Sequence, residues 1–145
     1  MSINCDSRNS AVAYRKVESV VFQSALRAAM LEQKHSAFVS VLETSVYDKA
    51  DCFLSYDGKS GYAVTDDGML ISVFSIVSGR GHGIVESAIE NAATMLECFE
   101  GFLSVMYAKH GFKEAMRDTF NEEFAPASWN YSRDGKPDYL TMIRV

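Results

Sequence analysis

The sequence predicts a single α/β (α+β) domain: a mixed central sheet of six or seven strands with helices on both faces. Three observations carry this. Strand-like and helix-like apolar patterns alternate along the chain. A hairpin signal sits near the middle. A strand–glycine-loop–helix unit follows it, and a strand–helix–strand unit closes the chain. At 145 residues the chain is long enough for one real core. The domain is expected over residues 11–145, behind a polar, flexible stretch at residues 1–10.

The elements follow in order. "AVAYRKV", Ala11–Val17, reads as a short first strand. From Glu18 to Lys34, Phe22, Ala25, Leu26, Ala29 and Met30 share one face at helical spacing. "AFVSVL", Ala37–Leu42, alternates as a strand does. Ser45 with Asp48 three residues on has the form of a capping box, opening a short stripe of Val46, Tyr47 and Ala50. Gly61–Thr65 and Met69–Ser75 flank Asp66-Asp67-Gly68, a hairpin turn signal. Ile84, Val85, Ala88, Ile89, Ala92, Ala93 and Leu96 then repeat at a helical period. Met95–Phe99, "MLECF", is a short buried strand. Leu103, Met106 and Tyr107 form a last helical stripe that stops at Gly111, with Phe112 as its apolar companion. "FKEAMRDTF" and "YLTMIRV" close the sheet as two strands, joined by a long loop over Asn121–Asp138.

Composition removes several function classes. A net charge of −5 disfavours nucleic acid or an anionic membrane as partner, since both select a basic face. Cys5, Cys52 and Cys98 are odd in number and form no CxxC pair, which argues against a disulfide framework or a zinc site. His35, His82 and His110 show no convergence, so no metal is expected. No apolar stretch has signal-peptide or membrane-spanning form, so the expected location is cytoplasmic.

The densest chemistry lies in "GRGHG", Gly79–Gly83, directly ahead of a helix. The first amides of a helix lack intrahelical partners, and the macrodipole adds positive character there. A glycine-rich entry lets a phosphate approach those amides, and Arg80 can add a charge-assisted contact. The same glycines also suit a plain connector. No Walker lysine follows and the spacing is not GxGxxG, which disfavours a triphosphate P-loop and a dinucleotide site.

One strand downstream lies Tyr107-Ala108-Lys109-His110-Gly111-Phe112, of the form Y-x-K-x-G-F. Strand Leu70–Ser75, loop Gly79–Gly83, helix Ile84–Ala93, strand Met95–Phe99 and this helix end together resemble the GCN5-related N-acetyltransferase (GNAT) superfamily. "DGKSGYAV" (Asp57–Val64), "ECFEG" (Glu97–Gly101) and "FAPASWNYSRDGKPD" (Phe124–Asp138) resemble a branch common in bacteriophage genomes.

The resemblance implies acetyl-CoA as cofactor and acetyl transfer to an unidentified amine. Gly81, His82, Gly83 and Ile84 would give amides to the pyrophosphate, and backbone groups at Phe74, Ser75 and Ile76 would face the pantetheine arm. Tyr107 would protonate the leaving thiolate. Glu97, Glu100 and Asp138 are candidate general bases.

Other readings stand beside these. Tyr107 also fits the core, His82 a solvated loop, and His110 the end of its helix. Trp129 either pins the Asn121–Asp138 loop or forms an acceptor-binding or partner-binding lip. The alternative function is a catalytically inactive phage protein on this scaffold that binds a host protein in the host bacterial cytoplasm; a third option is a self-associating structural or virion component, and a homodimer is among the expected partners.

Overall fold

The computed structural model describes residues 12–32, 41–125 and 129–145. The expectations for residues 1–10 and for most of the Ala37–Leu42 strand fall outside those residues. Seven strands form one sheet in the order β1-β2-β3-β4-β5-β7-β6. They are β1 (Tyr14–Val17), β2 (Asp51–Ser55), β3 (Ser60–Val64), β4 (Met69–Ser75), β5 (Met95–Phe99), β6 (Phe112–Asp118) and β7 (Tyr139–Arg144). Every neighbouring pair is antiparallel except β4 and β5. A parallel pair needs a crossover, supplied here by helix α3 (Gly81–Glu90). Among the described residues, no helix is long and apolar enough to cross a membrane.

Helices cover both faces, each through its apolar stripe. On one face α1 (Ser19–Glu32) and α2 (Thr44–Asp48) bury Phe22, Leu26, Ala29 and Tyr47 against Cys52, Leu54, Ala63 and Phe74. On the other, α3 and α4 (Phe102–Ala108) bury Ile84, Val85, Ala88 and Tyr107 against Leu70, Leu96, Cys98, Leu140 and Met142. The Asp66-Asp67-Gly68 turn forms as expected, with Gly68 at φ +89° and its N–H donating to the Thr65 carbonyl.

Two expectations are corrected. Asp51–Ser55 is a central strand that the sequence does not announce, because four of its five residues are buried and period-two alternation is lost. The Ser45–Asp48 capping box does not form. Glu43 is the N-cap without a side-chain bond, Ser45 lies inside the helix, and Asp48 accepts from the Ser19 hydroxyl instead. Between Asn121 and Asp138 the chain folds a 3-10 turn (Glu122–Phe124) and a short helix α5 (Tyr131–Asp134).

Gly61 marks the tightest point of the sheet. A Cβ there would lie 2.4 Å from the Phe53 carbonyl oxygen and 2.7 Å from Leu54 Cδ2. Backbone cannot yield as a side-chain tip can, so Gly61→Ala is expected to destabilise the fold by about 1–3 kcal/mol. A lowered midpoint in thermal denaturation checks this.

Candidate functional site

The central parallel pair is incomplete. β4 and β5 are in register only at Met69↔Met95 and Leu70↔Leu96. Beyond that point they part, because β4 carries an extra residue against β3. Gly61 faces Phe74 and Ala63 faces Ile71, so β3 advances by fewer residues than β4 over the same span. Ser72, within the bulge, takes φ +52°, and its hydroxyl is held 2.7 Å from that of buried Tyr47. The parting opens a cleft of about 1270 Å³ between the two strands. The start of α3, one side of α4 and the segment after β6 complete its walls.

The glycine loop lies at the cleft's edge. Gly79 takes φ +86°, and α3 begins at Gly81. Among the described residues, the amides of Gly81, His82 and Gly83 make no hydrogen bond. They are the donors a helix start leaves unpaired. A Cβ at Gly83 would meet nothing within 4 Å, whereas one at Gly81 would lie 2.7 Å from Met106 Sδ. The backbone is therefore bare at Gly83 and closely packed on α4 at Gly81. Ile84 is a correction: its N–H donates to the Arg80 carbonyl at 3.0 Å, so that amide is spent inside the helix.

Arg80 is a second correction. Its guanidinium turns away from the loop amides and grips Asp57 with two bonds, of 3.1 and 2.7 Å. It also donates to the Ser60 hydroxyl at 3.0 Å. Ser55 and Ser60, both fully buried, and the hydroxyl of Tyr14 complete this network. The Arg80 side chain is 15% exposed, too enclosed to reach a phosphate in the cleft. Its role is to tie the glycine loop to the β2–β3 turn. The guanidinium and the Ser55 hydroxyl hold the Asp57 carboxyl well below the usual carboxylate range.

His82 and His110 find each other, which neither single-residue reading anticipates. Nδ1 of His82 lies 2.7 Å from Nε2 of His110, bridging the start of α3 to the end of α4.

Tyr107 lines the cleft and is 5% exposed. Its ring meets Phe112 edge-on, yet its hydroxyl has no hydrogen-bond partner among the described residues. Burial, with a smaller contribution from Cys98, raises the phenol's pKa, so the group stays protonated.

Along β4, Phe74 and Ser75 line the cleft and Ile76 does not. The Ile76 N–H donates to the Lys59 carbonyl on the β3 side. By the alternation of an antiparallel pair, the peptide groups of Ser75 point the other way, toward the gap. Ile76 is thus a correction, and Ser75 supplies the backbone that faces the cleft.

Of the three candidate bases, Glu100 and Asp138 are bound to Arg117 at 2.9 and 2.7 Å, together with Glu114. Glu97 alone lines the cleft, with no ion pair among the described residues. Trp129 pins its loop, donating from Nε1 to the Gly135 carbonyl at 2.9 Å and packing on Phe99 and Phe120.

No protein-family model matches this sequence, and no curated protein matches it. Solved structures do. An IAA acetyltransferase from Bacillus cereus is 15% identical, with a TM-score of 0.55 over 91% of this chain and 97% of that one. A candidate phosphinothricin N-acetyltransferase is 14% identical, with a TM-score of 0.57 over 91% and 96%. At such identities the likeness is one of fold, and the fold is that of the GCN5-related N-acetyltransferases.

The Arg80–Asp57 clamp has a pH signature. A carboxyl whose native pKa is depressed adds stability above its unfolded value of about 3.9 and loses it as pH falls through the native one. Asp57→Asn should therefore lower the thermal midpoint at neutral pH. The wild-type and variant midpoints should converge in strong acid, which melting curves recorded from pH 7 downward will check.

Proposed function

We propose that the protein is an acyl-CoA-dependent N-acetyltransferase that moves an acetyl group from acetyl-CoA to an amine. One observation carries this reading. Among the described residues, the cleft between the parted strands has unbonded amides at one edge and a buried hydroxyl without a partner in its wall. A ligand with a diphosphate and a sulfur leaving group uses both, and the residues present fit it. Gly83 leaves open space over the helix start, and the Tyr107 oxygen awaits a partner.

When bound, the thioester supplies an activated acetyl group. The rest belongs to this chain. The amides of Gly81, His82 and Gly83 hold the diphosphate with help from the α3 dipole. Phosphate charge is met there by peptide groups alone, since Arg80 is engaged elsewhere. The backbone of Ser75 orients the extended arm as an added strand would. Tyr107 holds its proton at Oη and releases it to the departing sulfur.

Isothermal titration with acetyl-CoA tests the reading, and absence of heat at millimolar cofactor overturns it. Tyr107→Phe should cut turnover about 10²- to 10⁴-fold while leaving the KM for acetyl-CoA nearly unchanged. Gly83→Val should keep the melting temperature, since its Cβ meets no protein atom, yet weaken acetyl-CoA binding at least tenfold. A non-catalytic binding protein on the same scaffold would tolerate Tyr107→Phe in its partner binding and show no turnover to lose.

A further inference from the structure

Ser72 is held in a conformation that serine rarely adopts. It lies in the β4 bulge at φ +52°, and among the described residues only Ala92 shares a positive φ without being glycine. A Cβ crowds the backbone in that region, so such a residue persists only where its surroundings hold it. The register accounts for the bulge: Ser72 and Val73 span the stretch of β4 that Tyr62 alone spans on β3. It does not account for serine, since glycine takes a positive φ freely.

The side chain does. The Ser72 hydroxyl lies 2.7 Å from that of Tyr47 on α2. The same phenol oxygen accepts the Leu42 N–H at 3.0 Å. With Leu42 on one lone pair, the phenol still has a proton to give to Ser72 Oγ. Its seat is firm. Tyr47 is fully buried, and its ring lies 5.6 Å from that of Phe22 between centroids. One turn earlier on α2, the Thr44 hydroxyl donates to buried Gln23 of α1 at 3.2 Å. Leu42 and Ser72 both line the cleft, and Tyr47 stands behind them. One oxygen atom thus fixes two separate parts of the wall.

The bond sits where the sheet begins to open. β4 and β5 pair as far as Leu70↔Leu96, two residues short of Ser72. In an extended conformation Ser72 would carry β4 on beside β5, and the parallel ladder could run further along the gap. At φ +52° the strand turns aside instead.

We infer that Tyr47 is a positioning residue for the cleft: its hydroxyl grips Ser72, keeps β4 bulged and so holds the gap open for the cofactor arm. It touches no reacting atom and acts through Ser72. That the open gap serves a cofactor rests on the transferase reading; the hold on the bulge does not.

Tyr47→Phe and Ser72→Ala each remove the bond from one side, and the first keeps the ring in the core. In the full chain, NMR scalar couplings report φ at residue 72, and calorimetric titration reports acetyl-CoA affinity. Both variants should move residue 72 from positive φ to the extended region and raise the acetyl-CoA Kd about tenfold or more. Glycine keeps a positive φ without being held. Ser72→Gly, alone or combined with Tyr47→Phe, should therefore retain the wild-type φ and bind within about twofold of wild type. A Tyr47 that merely fills space would show no such rescue. Positive φ kept at residue 72 in Tyr47→Phe, or glycine failing to restore it in the double variant, overturns the inference. An unchanged Kd in variants whose φ has moved overturns the link to the cofactor. A wild-type chain that binds no acetyl-CoA overturns the transferase reading, and the couplings at residue 72 still decide the role of Tyr47.

Discussion

Everything in this molecule depends on two strands that begin as partners and then separate. A sheet interior is normally closed by its own ladder, since buried N–H and C=O groups left unpaired are costly. Here the ladder between β4 and β5 stops after two residue pairs. The wings do not fall apart, because one apolar cluster spans the break. Phe53, Tyr62 and Leu70 from one wing pack with Leu96, Leu140 and Met142 from the other, under α3 and α4. The cluster on the opposite face draws only on α1, α2 and the first wing. One face is bridged and the other is not, so the gap becomes a cleft with a defined opening.

Charge follows the same division. The arginine nearest the glycine loop is drawn into a buried hydroxyl and carboxylate network beside the β2–β3 turn. Arg117, near the far end of the cleft, is surrounded by Glu100, Glu114 and Asp138. Both cations are consumed in holding loops. Positive potential in the cleft then comes from peptide dipoles at the start of α3, and negative potential from carboxylates beyond β5.

Much of the frame was legible because its signals are local. Asp66-Asp67-Gly68 dictates a turn, "MLECF" is bounded as a strand from Met95 to Phe99, and the stripes of α1 and α3 repeat at helical period. The strand over Asp51–Ser55 was not legible, because burial on both faces removes the alternation that identifies a strand. The site was legible in part. Glycines at 79, 81 and 83 announce bare amides wherever they occur. That Arg80 faces Asp57 and that Ile76 turns toward Lys59 are facts of register and rotamer, set by contacts 23 and 17 residues away, whereas Ile84 is spent on a local helical bond to Arg80. The His82–His110 contact, between residues 28 apart in sequence, is of the same kind.

Tyr107 separates a structural account of the cleft from a functional one. A core role explains its ring, which fills the space beside Cys98 and meets Phe112 edge-on. It does not explain the oxygen. A buried hydroxyl without a partner costs about 1–3 kcal/mol relative to one that is bonded, and phenylalanine would give the same packing without that cost. Tyr47 and Tyr62, buried as deeply, bond their hydroxyls to Ser72 and Ser87. The chain therefore satisfies both of these buried phenols with bonds from its own atoms. Among the described residues the Tyr107 hydroxyl in the wall of the cleft has none, a cost that a ligand arriving with a polar atom at that spot would cancel.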